Sequence, residues 1–272
     1  MTGRSGPIVF ACLILGLIFL YVPTAVVIAY SFNESRLVSV WTGFSLKWYG
    51  ELFADERFLS AARVSLVVAV MSASLATALG TAAGLVLARA GRFRGRLLFS
   101  GLAATPLVLP EVITGLTLLL LFVALEQATG WPQGRGMVTV ILAHTSFAMA
   151  YVALIVQARV SGMSRDTEEA AADLGAPPHI VFFSITLPLI APAIFAGWLL
   201  AFVLSLDDLV VASFTSGPQA TTLPMLVFSS IRLGVSPKIN ALSTLLVLVS
   251  AICLIAAAGL QIRRNRSTPR AP

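Results

Sequence analysis

The segment EEAAADLGAPPHIVFFSITLP, Glu168–Pro188, interrupts a chain that is otherwise largely apolar. Just before it, Asp166 is a predicted helix N-cap with Glu169 three residues later, and Thr167 is the alternative cap. The alanines favour a helix, Gly175 suits the residue after its C-cap, and two prolines then forbid continuation. The pattern predicts a two-turn polar helix outside the bilayer, and so short a helix needs a packing partner to be ordered.

The composition places the rest of the chain in a membrane. Of its 272 residues, 58% are hydrophobic and 11% are charged, whereas soluble domains are about a quarter charged. We therefore expect an all-α integral membrane protein, with residues 1–272 forming one domain of six transmembrane helices. At about 20 apolar residues for each span, the predicted helices cover approximately 8–30, 62–88, 97–125, 137–158, 190–214 and 241–262.

The distribution of charge predicts the orientation. One side would carry the N-terminus, the loop near residue 92, the polar segment of about 160–188 and the C-terminus, with eleven of the 18 basic residues and four of the 12 acidic ones. The positive-inside rule makes that side cytoplasmic, so both termini are predicted to be cytoplasmic. The net charge of +6 is then a consequence of topology, and nucleic-acid binding is not expected.

Two further patterns concern packing and lipid contact. Small residues at Gly80 and Gly84 favour close approach between helices. In the first external loop, Phe44, Trp48, Leu52 and Phe53 lie roughly on one helical face and predict a helix lying at the lipid headgroups. The alternative is that this helix contacts an external partner.

The sequence has no recognisable catalytic or nucleotide-binding motif. It contains no P-loop, no HExxH and no Gly-x-Ser-x-Gly sequence. Cys12 and Cys253 lie in apolar segments without metal-ligand spacing, and His144 is predicted to be a hydrogen-bonded residue of the helix core or of a cavity. We expect no enzymatic activity, cofactor or metal in this chain, so any ATP would be bound by another subunit.

Three acids within the apolar segments are candidate functional residues, because a charge in a membrane is costly. They are Glu111 and the pair Asp207 and Asp208, all predicted in the outer half of the membrane. Such acids would favour a cationic substrate. The alternatives are that they pair with Arg135 or Arg232, or that they cap helix ends.

The spacing around Glu169 resembles a known signature. Glu169-Ala170-Ala171, Gly175 four residues after Ala171, and then Ile185 and Leu187-Pro188 match the EAA motif of permease subunits of ATP-binding-cassette importers. The resemblance implies the type I importer fold in a bacterial inner membrane. It also implies that the helix seats in a groove of a cytoplasmic ATPase, through Glu169, Ala170, Ala171, Asp173 and Gly175.

A second resemblance concerns the cargo. Residues 205–245, together with GFSLKWYGELF at 43–53 and TPLVLPEVITGLTLLLLF at 105–122, are similar to the second permease of bacterial putrescine/spermidine importers. Gln219 departs from the glycine expected in SGPGATT, which affects only the expected conformation of that loop. The resemblance implies a related second permease, two ATPase subunits that bind ATP and Mg²⁺, and a periplasmic polyamine-binding protein. Trp198 and Phe202 could then line the path, or they could pack in the core or against lipid.

Other functions stay open at this point. The EAA motif does not report the cargo, so a sugar, amino-acid or anion importer is an alternative. From another class, the chain could be a secondary transporter or channel that works alone, although that leaves the polar helix unexplained.

Overall fold

The computed structural model describes residues 6–36, 40–233, 236–248 and 251, and these are almost entirely helical. Within these ranges there is no strand, only an isolated bridge between Asn33 and Phe44. The helices are α1 Pro7–Tyr30, α2 Lys47–Phe53, α3 Glu56–Arg89, α4 Arg96–Val108, α5 Glu111–Thr129, α6 Met137–Ser161, α7 Asp166–Asp173, α8 Pro178–Val181, α9 Leu187–Asp207, α10 Val210–Thr215, α11 Leu223–Leu233 and α12 Pro237–Leu248. A π-helical turn, Phe182–Thr186, joins α8 to α9.

Five helical stretches in the described ranges are long and apolar enough to cross a membrane. They are α1, α3, α5, α6 and the run Pro178–Asp207 that ends with α9. The shorter apolar helices are α4, α11 and α12. The sixth predicted span, 241–262, lies mostly outside the described residues, although α12 covers its beginning.

The structure differs from the sequence prediction in the third span, where one helix was expected over 97–125. Instead α4 ends at Val108 and α5 begins at Glu111. Pro110 explains the interruption, because proline offers no N–H and disfavours helical conformation in the residue before it. Leu109 is accordingly extended, with ψ of 135°.

The fifth span is also interrupted, where one helix was expected over 190–214. Helix α9 ends at Asp207, Asp208 is extended with ψ of 125°, and α10 begins at Val210. No proline lies at this break. Instead, the side chain of Asp208 accepts hydrogen bonds from backbone N–H groups in the first turn of α10.

The described residues form two compact units, one drawn from 60–226 and the other from 1–59 and 227–272. The core of the first unit lies where α3, α6 and α9 pack. Its fully buried side chains are mostly small: Ala73, Ala76, Ala148, Val152, Val156, Val160, Ile190 and Ala201. Small side chains let helix backbones approach closely, and the resulting van der Waals contacts stabilise the association of membrane helices.

The glycines of α3 allow the closest approach to α6. A Cβ atom built on Gly80 would lie 2.7 Å from the carbonyl oxygen of Met149, and one built on Gly84 would lie 2.6 Å from that of Ala153. Both distances are far shorter than carbon and oxygen tolerate. The predicted packing role of Gly80 and Gly84 is therefore confirmed.

In the second unit, α2 buries two of the side chains that the sequence predicted at the lipid headgroups. Trp48 and Leu52 are only 3% and 4% exposed, and the indole Nε1 of Trp48 donates to the carbonyl oxygen of Asn33 at 2.6 Å. Phe44 and Phe53 remain exposed. The prediction was wrong for Trp48, because its polar N–H finds a backbone acceptor within the protein rather than at the headgroups.

Charged side chains link α2 to α12 in the same unit. Nζ of Lys238 lies 3.3 Å from Glu51 and 3.7 Å from Asp55. The side chain of Arg57 also bonds Asp55, at 3.1 and 3.2 Å. The hydrogen bond from Arg57, with the positive charge of Lys238 nearby, holds the pKa of the Asp55 carboxyl below its usual value.

We expect Gly84→Ala to lower the free energy of unfolding by about 1–3 kcal/mol, since the added methyl group meets the backbone of α6. Gly101→Ala is the matched control, because no atom lies within 4 Å of the corresponding Cβ. That change should be neutral or stabilising by up to about 1 kcal/mol. SDS-induced unfolding in micelles measures both variants, and equal effects would contradict the packing assigned to Gly84.

Candidate functional site

A cavity of about 480 Å³ lies where the two interrupted helices meet. Its walls include Pro110 and Glu111 at the break between α4 and α5, and Asp207 at the break between α9 and α10. Tyr151 and Phe147, one turn apart on α6, supply an aromatic wall. Irregular backbone at membrane depth is tolerated where it lines a cavity. The break between α4 and α5 and the break between α9 and α10 both line this cavity.

Close packing of α5 against α10 holds the two breaks together. A Cβ atom on Gly115 of α5 would lie 2.6 Å from the ring of Phe214 and 3.3 Å from the backbone of Val211. A side chain at this position would have to displace the Phe214 ring, so glycine allows the close crossing. The start of α5, with Glu111 in its first turn, is thereby fixed beside the end of α9.

Two acids predicted from the sequence, Glu111 and Asp207, line the cavity and are exposed. In the described part of the chain neither carboxylate forms an ion pair. The predicted alternative partners are engaged elsewhere, since Arg135 donates to the carbonyl oxygen of Phe214 at 3.2 Å and Arg232 lies over the ring of Phe228. These two carboxylates therefore offer negative charge to the cavity.

Asp208 also borders the cavity, but its carboxylate is committed to the protein. It is 8% exposed, and its two oxygens accept the N–H groups of Val211 at 3.3 Å and Ala212 at 2.7 Å. For this acid the alternative of helix capping is correct. Consecutive residues on a helix point about 100° apart, which separates the exposed Asp207 from the buried Asp208.

His144 connects Asp208 to a buried polar network, in agreement with the sequence prediction. His144 is fully buried, its Nδ1 lies 2.6 Å from the Ser205 hydroxyl, and its Nε2 lies 3.1 Å from the Asp208 carboxylate without hydrogen-bond alignment. Ser205 is 4% exposed and its hydroxyl also contacts Ser72 at 2.9 Å. A Ser–His–Asp succession of this kind can suggest a nucleophile, but a serine enclosed in this way does not meet a substrate. The network is structural.

The aromatic residues proposed from the sequence lie away from the cavity. Trp198 and Phe202 stack at 5.4 Å between ring centroids and pack against the core of α6 and α9. The indole of Trp198 donates to Ser74 at 3.2 Å. Sequence reasoning missed Tyr151 and Phe147, although two aromatic residues four apart on a helix share one face and were a readable signal.

The polar segment forms α7, as predicted, but its cap differs. Arg165 is the N-cap and Asp166 is the first helical residue, so the predicted capping by Asp166 or Thr167 was wrong. The hydroxyl of Ser164 accepts the N–H of Asp166 at 3.1 Å and supplies a local alternative. The carboxylates of the first turn still suit the positive end of the helix dipole.

The C-terminal end of α7 agrees with the prediction. Gly175 has φ of +83°, and its N–H donates to Ala172 at 2.9 Å while that of Ala176 donates to Ala171 at 3.0 Å. These two bonds form a Schellman motif, which favours glycine at this position. Glu169, Ala170 and Asp173 are exposed, Ala171 is half-buried, and the apolar side chain of Leu174 is 90% exposed.

Comparison with known proteins identifies the family. Residues 80–266 match the profile of the family described as "Binding-protein-dependent transport system inner membrane component". The chain belongs to this family. Its members are membrane components of transport systems, so the long apolar helices and the absence of enzyme motifs have a common explanation.

Two curated permeases cover most of this chain. It is 59% identical over 234 residues to the putrescine transport system permease protein PotI of Escherichia coli K12, covering 86% of this chain and 83% of that one. It is 39% identical over 239 residues to the spermidine/putrescine transport system permease protein PotC of the same strain, covering 88% of each.

A solved structure agrees on the fold. A bacterial alginate ABC transporter, determined in complex with an alginate pentasaccharide-bound periplasmic protein, aligns with a TM-score of 0.72 over 96% of this chain and 94% of the matched chain. At 17% identity this similarity concerns the fold alone. The protein is thus an all-α membrane permease with the fold of ABC importer permeases.

In this permease we expect Asp208→Ala to lower the free energy of unfolding by about 1–3 kcal/mol, because it strands buried N–H groups of α10. Asp207→Ala is the matched control, since that neighbouring side chain is exposed, and it should change stability by less than about 0.5 kcal/mol. Unfolding in detergent measures both. A larger loss for Asp207→Ala would contradict the assignment.

Proposed function

We propose that this permease forms half of the path of an ATP-driven importer for polyamines, with putrescine or spermidine as cargo. The observation that carries the proposal is the pair of exposed carboxylates, Glu111 and Asp207, in a cavity between interrupted membrane helices. The names of the relatives, a putrescine permease and a spermidine/putrescine permease, support the same cargo.

The chemistry of the cavity suits a flexible polycation. An ammonium group that leaves water needs charge-assisted hydrogen bonds, and carboxylates such as Glu111 and Asp207 supply them. Tyr151 and Phe147 add aromatic faces, which attract cations when water is excluded. A neutral sugar would leave the two carboxylates uncompensated, and an anion would be repelled by them. The cavity therefore favours a cationic cargo such as a polyamine over a sugar or an anion.

The proposed assembly needs further subunits. We infer a related second permease, two ATP-binding subunits that hold ATP and Mg²⁺, and a periplasmic polyamine-binding protein, with both termini of this chain in the cytoplasm of a bacterium. The charge distribution supports this orientation. The resemblance of the EAA segment and the alginate transporter solved with a periplasmic protein support the partners.

In this assembly α7 would be the helix that docks on the ATPase. Its exposed surface combines the carboxylates of Glu169 and Asp173 with the compact side chain of Ala170 and the apolar side chain of Leu174. Because the Leu174 side chain is 90% exposed, its burial by a partner would stabilise the complex. Closure of the two ATPases would then displace α7 and shift the permease between inward- and outward-facing states.

We expect Asp207→Asn and Glu111→Gln to raise the KM of putrescine uptake by about tenfold each, the effect of losing one charge-assisted hydrogen bond. Glu56→Gln is the control, because Glu56 is an acid that does not line the cavity and its change should leave KM unaltered. Uptake of labelled putrescine by proteoliposomes with the complete importer measures KM. Unchanged KM in both cavity variants would remove these acids from the path.

A second prediction concerns coupling to ATP. Gly175→Val cannot keep φ of +83° without strain and should misplace the end of α7. We expect the putrescine imported per ATP hydrolysed to fall at least about fivefold, the lower end of allosteric couplings. The same change at Gly130, which has φ of +75° after α5, controls for strain alone and should preserve the ratio. Normal coupling in Gly175→Val would count against docking through α7.

A further inference from the structure

Glu168 lies on α7 beside the residues proposed to dock on the ATPase, but its side chain contacts the membrane helices instead. Its Oε1 accepts a hydrogen bond from the hydroxyl of Thr186 at 2.8 Å and lies 3.3 Å from Nη2 of Arg89. Arg89 is the last residue of α3, and Thr186 is the last residue before α9. One carboxylate oxygen of α7 thus touches the ends of two membrane helices.

The environment of this contact distinguishes it from an ordinary surface ion pair. The side chains of Glu168 and Arg89 are only 20% and 21% exposed, and Thr186 is 7% exposed. Exposed pairs are screened by water and salt, whereas a partly buried pair with an added hydrogen bond is screened less. The contact is therefore suited to hold elements together while they move.

Among the residues that the structure describes, few other contacts fasten α7 to the membrane helices. None of its side chains is buried, so apolar packing contributes little to its position. The chain reaches α7 through the short connection 162–165 and leaves it through 174–177. One weaker link is the side chain of Arg165, whose Nη2 donates to the carbonyl oxygen of Arg89 at 3.4 Å. Both side-chain links thus reach the same end of α3.

The two adjacent glutamates of α7 differ in their contacts and exposure. Glu169 is exposed and belongs to the surface proposed for the ATPase, whereas Glu168 turns toward α3 and α9. Helix geometry requires this divergence, since successive residues are about 100° apart. The π-helical turn that carries Thr186 adds a feature that occurs often at functional sites.

We propose that Glu168 is the positioning residue that joins α7 to α3 and α9, so that displacement of α7 moves both membrane helices together. This inference rests on the proposed function of α7. Without the joint, α7 would follow the ATPase while the short connections on either side of it absorb part of the motion. ATP would still be hydrolysed, but less of the motion would reach the cavity.

The test compares the uptake of putrescine per ATP hydrolysed in proteoliposomes that hold the complete importer. Glu168→Ala removes both contacts, and Thr186→Val removes only the hydrogen bond while keeping the side-chain shape. Asp166→Asn is the matched control, because it removes a negative charge from the same turn of α7 at a residue that is exposed. We expect a fall of at least about fivefold for Glu168→Ala, a smaller fall for Thr186→Val and none for Asp166→Asn.

A second measurement separates the joint from simple docking. Co-purification of the ATPase with the permease should be unchanged in Glu168→Ala, and ATPase activity should persist. Loss of the ATPase from the complex would instead make Glu168 a docking residue and overturn the proposal. The double variant Glu168→Gln with Arg89→Gln should be no worse than either single variant, because the two side chains act through one contact.

The outcomes also distinguish this inference from the proposed function. If the unaltered importer takes up no putrescine with ATP, the proposed function fails. If it does so and Glu168→Ala keeps the full ratio of uptake to hydrolysis, the joint alone fails. Should Glu168→Ala not insert into the membrane, Thr186→Val decides, and a normal ratio in that variant contradicts the proposal.

Discussion

The need to satisfy every backbone hydrogen bond inside a membrane governs this structure. A helix that stops at membrane depth leaves backbone N–H and C=O groups without partners. Each such group costs roughly several kcal/mol in lipid. Here Pro110 interrupts one span and Asp208 supports the interruption of another, and both breaks open onto the same cavity. The cavity is therefore the place where irregular backbone becomes tolerable, and the candidate acids lie at its edges.

Two pairs of adjacent acids divide structural and functional roles. Asp208 binds the start of α10 while Asp207 faces the cavity, and Glu168 contacts α3 and α9 while Glu169 remains exposed. In each pair the helical twist turns one carboxylate inward and leaves the other available. The Asp208 carboxylate holds the amides of α10, and the Glu168 carboxylate contacts the side chains of Arg89 and Thr186. Under the proposed function, each neighbour is the acid that would meet cargo or a partner subunit.

The sequence predicted those features that depend on local chemistry. Gly175 and the prolines after it correctly predicted the end of α7. Pro110 could have predicted the break between α4 and α5, but one continuous helix was expected there. Helix capping was one alternative for Asp208, but the sequence did not place the break there, because no proline or glycine marks it. The sequence left Trp198 with three possible positions, in the path, in the core or against lipid, and tertiary packing places its ring against the core.

We propose that ATP hydrolysed outside this chain drives a polyamine through it. The most direct measurement is the uptake of labelled putrescine by proteoliposomes that contain this permease, its sister permease, the ATPase and the binding protein. On this proposal, we expect accumulation that requires ATP and disappears when the ATPase subunits are left out. Uptake that continues without them, or ATP-driven uptake of a sugar in place of putrescine, would contradict it.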